Sequence, residues 1–177
     1  MPSQRSCFFT ILIASVLIRV SASAQVPAYD KAGPVPPAIP AAKSIFISNA
    51  GADSGLFPEP FTGDPDRGYT ELYAALKATG DYTLAGDPAG ADLVLELRLV
   101  APYGPSNGSK VNGASDPLPM FRLVVYDAKS HYILWTVTRN IDVAYMQKTH
   151  DKNFDLALLD VLNQFLQLAG KTPVTPH

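Results

Sequence analysis

Ala91-Asp92-Leu93-Val94-Leu95-Glu96-Leu97-Arg98-Leu99-Val100 alternates without a break. Leu93, Leu95, Leu97 and Leu99 fall on one side and Val94, Glu96, Arg98 and Val100 on the other, the period of a half-buried strand. Glu96 and Arg98 sit in its middle, so the strand is not buried on both faces. It is read as a central strand of an antiparallel or mixed sheet, with one face roofed by helices and the other partly wet.

The segments on either side supply more strands and the roof. Ser44-Ile45-Phe46-Ile47-Ser48-Asn49 is a short run rich in β-formers, bounded by Asn49-Ala50-Gly51. A long loop follows from Gly51 to Gly63, mixing turn residues with the aromatics Phe57 and Phe61. Loops of that length inside a compact domain are often functional. A helix is expected from about Asp64, as N-cap with Pro65 at the first helical position, to Gly80. Its apolar face carries Tyr69, Leu72, Tyr73 and Leu76. Tyr82 to Ala85 reads as a second strand, and Gly86-Asp87-Pro88-Ala89-Gly90 as the turn before the organising strand.

Downstream, Tyr103 to Pro119 is a long connection of Gly, Ser, Asn, Asp and Pro. Two alternating runs then flank Asp127-Ala128-Lys129-Ser130-His131, with Phe121, Leu123 and Val125 in the first and Ile133, Trp135 and Val137 in the second, which reads as a hairpin. Residues 140–148 fit a strand extension or a loop. From about Asp151 or Asn153 to Ala169, Phe154, Leu158, Val161, Leu162, Phe165 and Leu168 form a broad helical stripe stopped by Gly170. The fold class expected is α+β: a two-layer sandwich of one mixed or antiparallel sheet of four or five strands with two helices on one face. Replacing Leu95 or Leu97 by Ala in that core costs roughly 2–5 kcal/mol.

The organisation around this domain is expected as follows. Residues 1–24 are a secretory signal peptide: Arg5, an apolar stretch from Cys7 too short to span a bilayer, and Ser21-Ala22-Ser23-Ala24 before Gln25. Residues 25–42 are a Pro-rich linker, with five prolines between Val26 and Ala42, read as extended and polyproline-like. Residues 43–170 are the single domain, and 171–177 a C-terminal tail. Removing the signal removes Cys7, the only cysteine, so the mature chain has no disulfide and no thiolate metal site. Twelve basic residues then face sixteen acidic ones, a net charge of about −4. No basic stripe suggests nucleic acid as a partner.

Candidate chemistry is sparse. Ser54, in the turn Gly51-Ala52-Asp53-Ser54-Gly55, with His131 or His150 as base is the one hydrolase arrangement available, and it lacks the G-x-S-x-G surround. Asp64-Pro65-Asp66-Arg67-Gly68 fails as an EF-hand; Asp53 with Asp64 and Asp66 remains as an irregular calcium site, set against plain helix capping. His131, His150 and His177 are too scattered for zinc. No metal or other cofactor is expected. Asn107-Gly108-Ser109 matches a glycosylation pattern and is read as a turn. Phe57, Phe61, Tyr69 and Tyr103 are candidate binding residues lining a groove at one end of the sheet; the competing reading is that they pin the long loops to the domain.

Asp87-Pro88-x-x-Ala91-Asp92-Leu93-Val94-Leu95, then Asp127-x-Lys129-Ser130 leading to Leu134-Trp135, then a final amphipathic helix, resembles the layout of TolB amino-terminal-like and CsgG-like envelope domains and of related uncharacterised periplasmic families. The resemblance implies a periplasmic or secreted, non-catalytic binding or assembly module with an envelope protein as partner and no transmembrane span after signal cleavage. Many members of those families are lipoproteins, whereas Cys7 lies inside the apolar core and not at a lipobox. The surfaces expected to act are the 51–63 loop, the 103–119 loop and any open sheet edge. The alternatives are the Ser54 hydrolase and a small-ligand binder using the aromatic loops.

Overall fold

The computed structural model describes residues 33–101, 119–142 and 144–175. The expected signal peptide, residues 25–32 of the linker, Tyr103, Asn107 and His177 lie outside these residues. A one-turn helix, α1 (Ala38–Ala41), precedes β1 (Ser44–Ala52), α2 (Arg67–Thr79), β2 (Thr83–Leu84), a 3-10 turn (Pro88–Gly90), β3 (Leu93–Val100), β4 (Met120–Asp127), β5 (Ile133–Asn140) and α3 (Gln147–Leu168). The strands form one mixed sheet in the order β2-β1-β3-β4-β5. β1 runs parallel to β2 and β3, and the β3/β4 and β4/β5 pairs are antiparallel. Parallel neighbours need a crossover, and α2 supplies it between β1 and β2.

The organising strand β3 is the middle strand, and its burial alternates residue by residue. Its leucines meet Ile45 and Ile47 of β1 on one side and Phe121, Leu123 and Val125 of β4 on the other. Both long helices close over this face: Leu72 and Leu76 of α2 and Phe154, Leu158, Val161, Leu162 and Phe165 of α3 join the same buried cluster. The two-layer α+β sandwich is thus the architecture, with five strands.

Several elements differ from the local reading, each for a visible reason. β1 does not end at Asn49: a register shift between Asn49 and Ala52, with Gly51 at φ 72° and its amide donating to Asn49 Oδ1, carries the strand to Ala52. Asp64 does not cap α2. Its carboxylate accepts from the Asp66 amide at 2.9 Å, closing a turn, and the helix begins at Arg67. α3 begins one turn earlier than its apolar stripe suggests, at Gln147, and Asn140 closes β5. In β5 a shift opposite Val125 and Tyr126 makes Leu134 the extra residue, so Ile133 pairs with Tyr126 on the outer face instead of pointing inward. The Pro-rich segment is not extended throughout: residues 38–41 make a helical turn, and Ile39 is fully buried in the core.

Candidate functional site

Of the four aromatic candidates, Phe61 has no exposed surface. Its ring lies 5.2 Å from that of Phe154 on α3 and 6.1 Å from that of Phe57, and Phe154 stands 4.8 Å edge-on to Phe121 of β4. Phe61 therefore anchors the 51–63 loop. Phe57 is half-buried in the same cluster, and Tyr69 borders it from α2 beside Tyr73. The crevice that Phe57 and Tyr69 share with Leu97, Leu99 and Phe121 holds only about 10 Å³, room for no more than a water. Tyr103 lies outside the described residues.

What pins the loop is a residue that local pattern did not single out. Arg67, in the first turn of α2, donates from Nε to Glu71 Oε1 at 2.8 Å, and from Nη1 to Asp151 Oδ1 at 2.8 Å and to the Thr62 carbonyl at 3.1 Å. Nη2 pairs with Asp155, and the guanidinium stands 4.3 Å from the centre of the Phe154 ring. Desolvation works against the charge, but the bonds to Glu71 and Asp151 outweigh it and raise the Arg67 pKa. Asp151 also accepts from the Thr62 amide at 3.0 Å, and Gln147 Nε2 donates to the Pro60 carbonyl at 2.6 Å. Against its desolvation, the Thr62 amide and Arg67 hold the Asp151 carboxyl down at about 2. Loop, α2 and α3 are locked at one node.

The hydrolase residues are not brought together. Ser54 follows β1 at the end of the sheet where Ala52 pairs with Leu99, whereas His131 occupies the hairpin turn beyond Asp127, which pairs with Leu93. Six residues of strand separate these ends, about 20 Å. The His150 ring stands edge-on to that of Phe61 with their centres 6.3 Å apart, and its Nδ1 accepts from the Ala144 amide at 3.4 Å. The calcium candidates are also committed elsewhere: Asp53 to Arg98 Nη2 and the Ala101 amide, Asp66 to Asn49 Nδ2, Asp64 to its own turn. Among the described residues no three His, Cys, Asp or Glu side chains are grouped to hold a metal.

The two phrases that carried the family resemblance are fasteners at one end of the sheet. Asp92 Oδ2 accepts from the Lys43 and Ser44 amides at 2.9 and 3.0 Å and from Ser44 Oγ at 3.1 Å, tying the start of β3 to the start of β1. Asp127 Oδ1 accepts from the Lys129 and Ser130 amides and from Ser130 Oγ, closing the hairpin turn. The Lys43 amide chiefly for Asp92, and the Ser130 amide chiefly for Asp127, lower both carboxyl pKa values.

Among the described residues, an outer sheet edge and a groove on the helical side stay open. β5 is an outer strand of the sheet; Tyr132 and Ile133 at its start are 74% and 60% exposed, and Tyr145 and Met146 beyond its end are exposed as well. On the helical side an open groove of about 810 Å³ lies between α2 and α3, walled by Ala75, Ala78, Leu156 and Leu159 and by the tail at Val174. Asn163 fixes that tail by donating to the Val174 carbonyl at 2.9 Å and accepting from its amide at 2.7 Å.

No family model matches the chain, and no curated protein matches it. Among solved structures it is similar to a DUF4136 family protein from Bacteroides thetaiotaomicron, at 16% identity and a TM-score of 0.45, over 80% of this chain and 92% of that one. A PelC dodecamer from Paraburkholderia phytofirmans gives 13%, 0.41, 73% and 89% on the same measures, and the LpoB C-terminal domain from Salmonella enterica 13%, 0.36, 57% and 83%. All three are bacterial. At such identities and scores the likeness assigns no partner, activity or location to this chain. Among the described residues no helix is long and apolar enough to cross a membrane.

Proposed function

We propose that this chain is an exported, non-catalytic binding and assembly module of the bacterial cell envelope, periplasmic or secreted, that engages a protein partner along β5. The occupant is an extended segment of a second protein, added as a further strand. The observation that supports this reading is the edge itself: eight residues, Ile133–Asn140, which among the described residues pair on one side only, to β4, with Tyr132 and Ile133 exposed at the start. Exposed edges are templates for pairing and are usually blunted by charge or proline; here the outward positions are Thr136 and Thr138, with Arg139 the one charge. The kinship with TolB amino-terminal-like and CsgG-like domains belongs to the same reading.

The test is photo-cross-linking in the cell from the edge, at Thr136 and Thr138, beside a matched probe at Lys77 on α2. One partner captured from the edge positions alone, and lost when Tyr132 and Ile133 are both changed to Lys, supports strand addition. The same adducts from Lys77, or adducts that survive the double change, sink it.

A further inference from the structure

The outer face of the sheet, away from the helices, carries an arrangement that is costly as it stands. Arg98 of β3 and Arg122 of β4 are directly opposite one another in the antiparallel register, and like charges in that position repel. Thr138 of β5 is the register partner of Arg122, so two guanidinium groups and a hydroxyl lie in one row across three strands. With neighbouring strands about 4.8 Å apart, the row is about 10 Å wide.

The acids nearby offset the row only in part, although Asp53 feels the charge of both arginines. Asp53 Oδ1 takes Arg98 Nη2 at 2.8 Å, and its other oxygen takes the Ala101 amide at 3.0 Å, so both oxygens are used at the Arg98 end. Glu96 lies beside Tyr126, whose hydroxyl pKa is raised by burial first and by the Glu96 carboxylate second. Among the described residues Arg122 has no ion pair, and the Nε–H of both arginines is buried without a partner. Among the described residues that leaves Arg98 Nη1 and both Nη groups of Arg122 for a ligand, Arg98 Nη2 being held by Asp53. The Arg98 side chain is 43% exposed, Arg122 is half-buried and Thr138 is exposed.

We infer that Arg98, Arg122 and Thr138 form a binding row for a phosphate monoester group on the open face of the sheet. A single carboxylate is neutralised by one guanidinium, as Asp53 already shows by its one bond to Arg98 Nη2. A phosphate monoester carries close to two negative charges and three acceptor oxygens, enough to draw both guanidiniums and the Thr138 hydroxyl to one centre. The site shares Thr138 with the β5 edge, but its test uses neither the partner nor a change at Thr138.

The experiment is a thermal-denaturation series on the mature chain, titrating inorganic phosphate against chloride at matched ionic strength. Three proteins are compared: the unmodified chain, Arg122→Gln, and Lys152→Gln on α3 as a control of equal charge change. Binding to the folded state raises the melting temperature with phosphate concentration. The unmodified chain and Lys152→Gln are expected to respond alike, and Arg122→Gln to bind roughly tenfold more weakly or worse, the loss of one charge-assisted contact. In chloride Arg122→Gln melts at or above the unmodified chain, because the repulsion is gone. Co-sedimentation with phosphatidylcholine vesicles, with and without phosphatidic acid, separates the sources. Capture dependent on phosphatidic acid and on Arg122 places the group on a lipid; a phosphate response without capture places it on a soluble ester. No phosphate-dependent shift in the unmodified chain, an equal shift in Arg122→Gln, or a variant as destabilised in chloride as in phosphate overturns the inference.

Discussion

The Arg67 guanidinium lies 4.3 Å from the centre of the Phe154 ring while its nitrogens reach Glu71, Asp151 and Asp155. An isolated surface pair contributes little, but here one partly buried cation closes three acids, a loop carbonyl and an aromatic face at once. Replacing Arg67 by Met keeps the stem over Phe154 and leaves Asp151 without its cation. The expected loss is about 2–3 kcal/mol in urea denaturation, with faster proteolysis between residues 51 and 63. Unchanged cleavage of the loop would show that Arg67 does not hold it.

Acid should weaken the same node. Asp151 has a folded-state pKa of about 2, below its ordinary value of 3.8, so its stabilisation is fully present above about pH 4 and is lost as pH falls toward 2. Asp53, Asp92 and Asp127 are lowered too and act in the same direction. The urea midpoint of the unmodified chain should fall over this window more steeply than that of Asp151→Asn, and the two curves should converge at the acid end. Parallel curves would mean that the Thr62 and Arg67 contacts do not favour the carboxylate.

Gly68 is buried in the first turn of α2, where a Cβ would sit 3.0 Å from Phe121 Cε1 and 3.5 Å from Leu97 Cδ2. Alanine is the better helix former by about 1 kcal/mol, yet Phe121 is fully buried and packed edge-on to Phe154. The clash is expected to win, with Gly68→Ala less stable by about 1–2 kcal/mol. A gain in melting temperature would show that α2 can rise off the sheet at no cost.

Asp92→Ala removes the acceptor for three donors at the start of β1. The amide protons of Lys43 and Ser44 should then exchange with solvent faster, while those of Leu95 and Leu97 in the centre of β3 keep their protection. Exchange rising equally along the whole of β3 would make Asp92 a determinant of global stability and not a local fastener.

Period and punctuation reported much of this chain directly. The alternation from Leu93 to Val100, the hairpin across residues 127–131, the stripe of α3 and the stop at Gly80 are all set by interactions between residues close in sequence, which is why they are legible without a fold. Where a contact is distant, local pattern misled or stayed silent. Asp64 looked like a helix cap because capping types are common there, but the helix waits for Arg67, whose partners Asp151 and Asp155 come 84 and 88 residues later. Ile133 looked inward by alternation, and one bulged residue in β5 turned it out, since a slip of one position reverses every side chain.

The candidate site followed the same division. Aromatic composition in the 51–63 loop pointed to Phe57 and Phe61, and could not say that Phe61 would be buried against Phe154, more than ninety residues away. The outer position of β5 and the opposition of Arg98 to Arg122 depend on strand order and register. Both are settled by long-range pairing, where two segments are equally good strands whichever neighbour they find. The chain's own order of residues therefore carried the elements and their inward faces, because burial of one stripe is a local requirement; which edge stays open and which charges meet came from the folded sheet, because those are relations between strands.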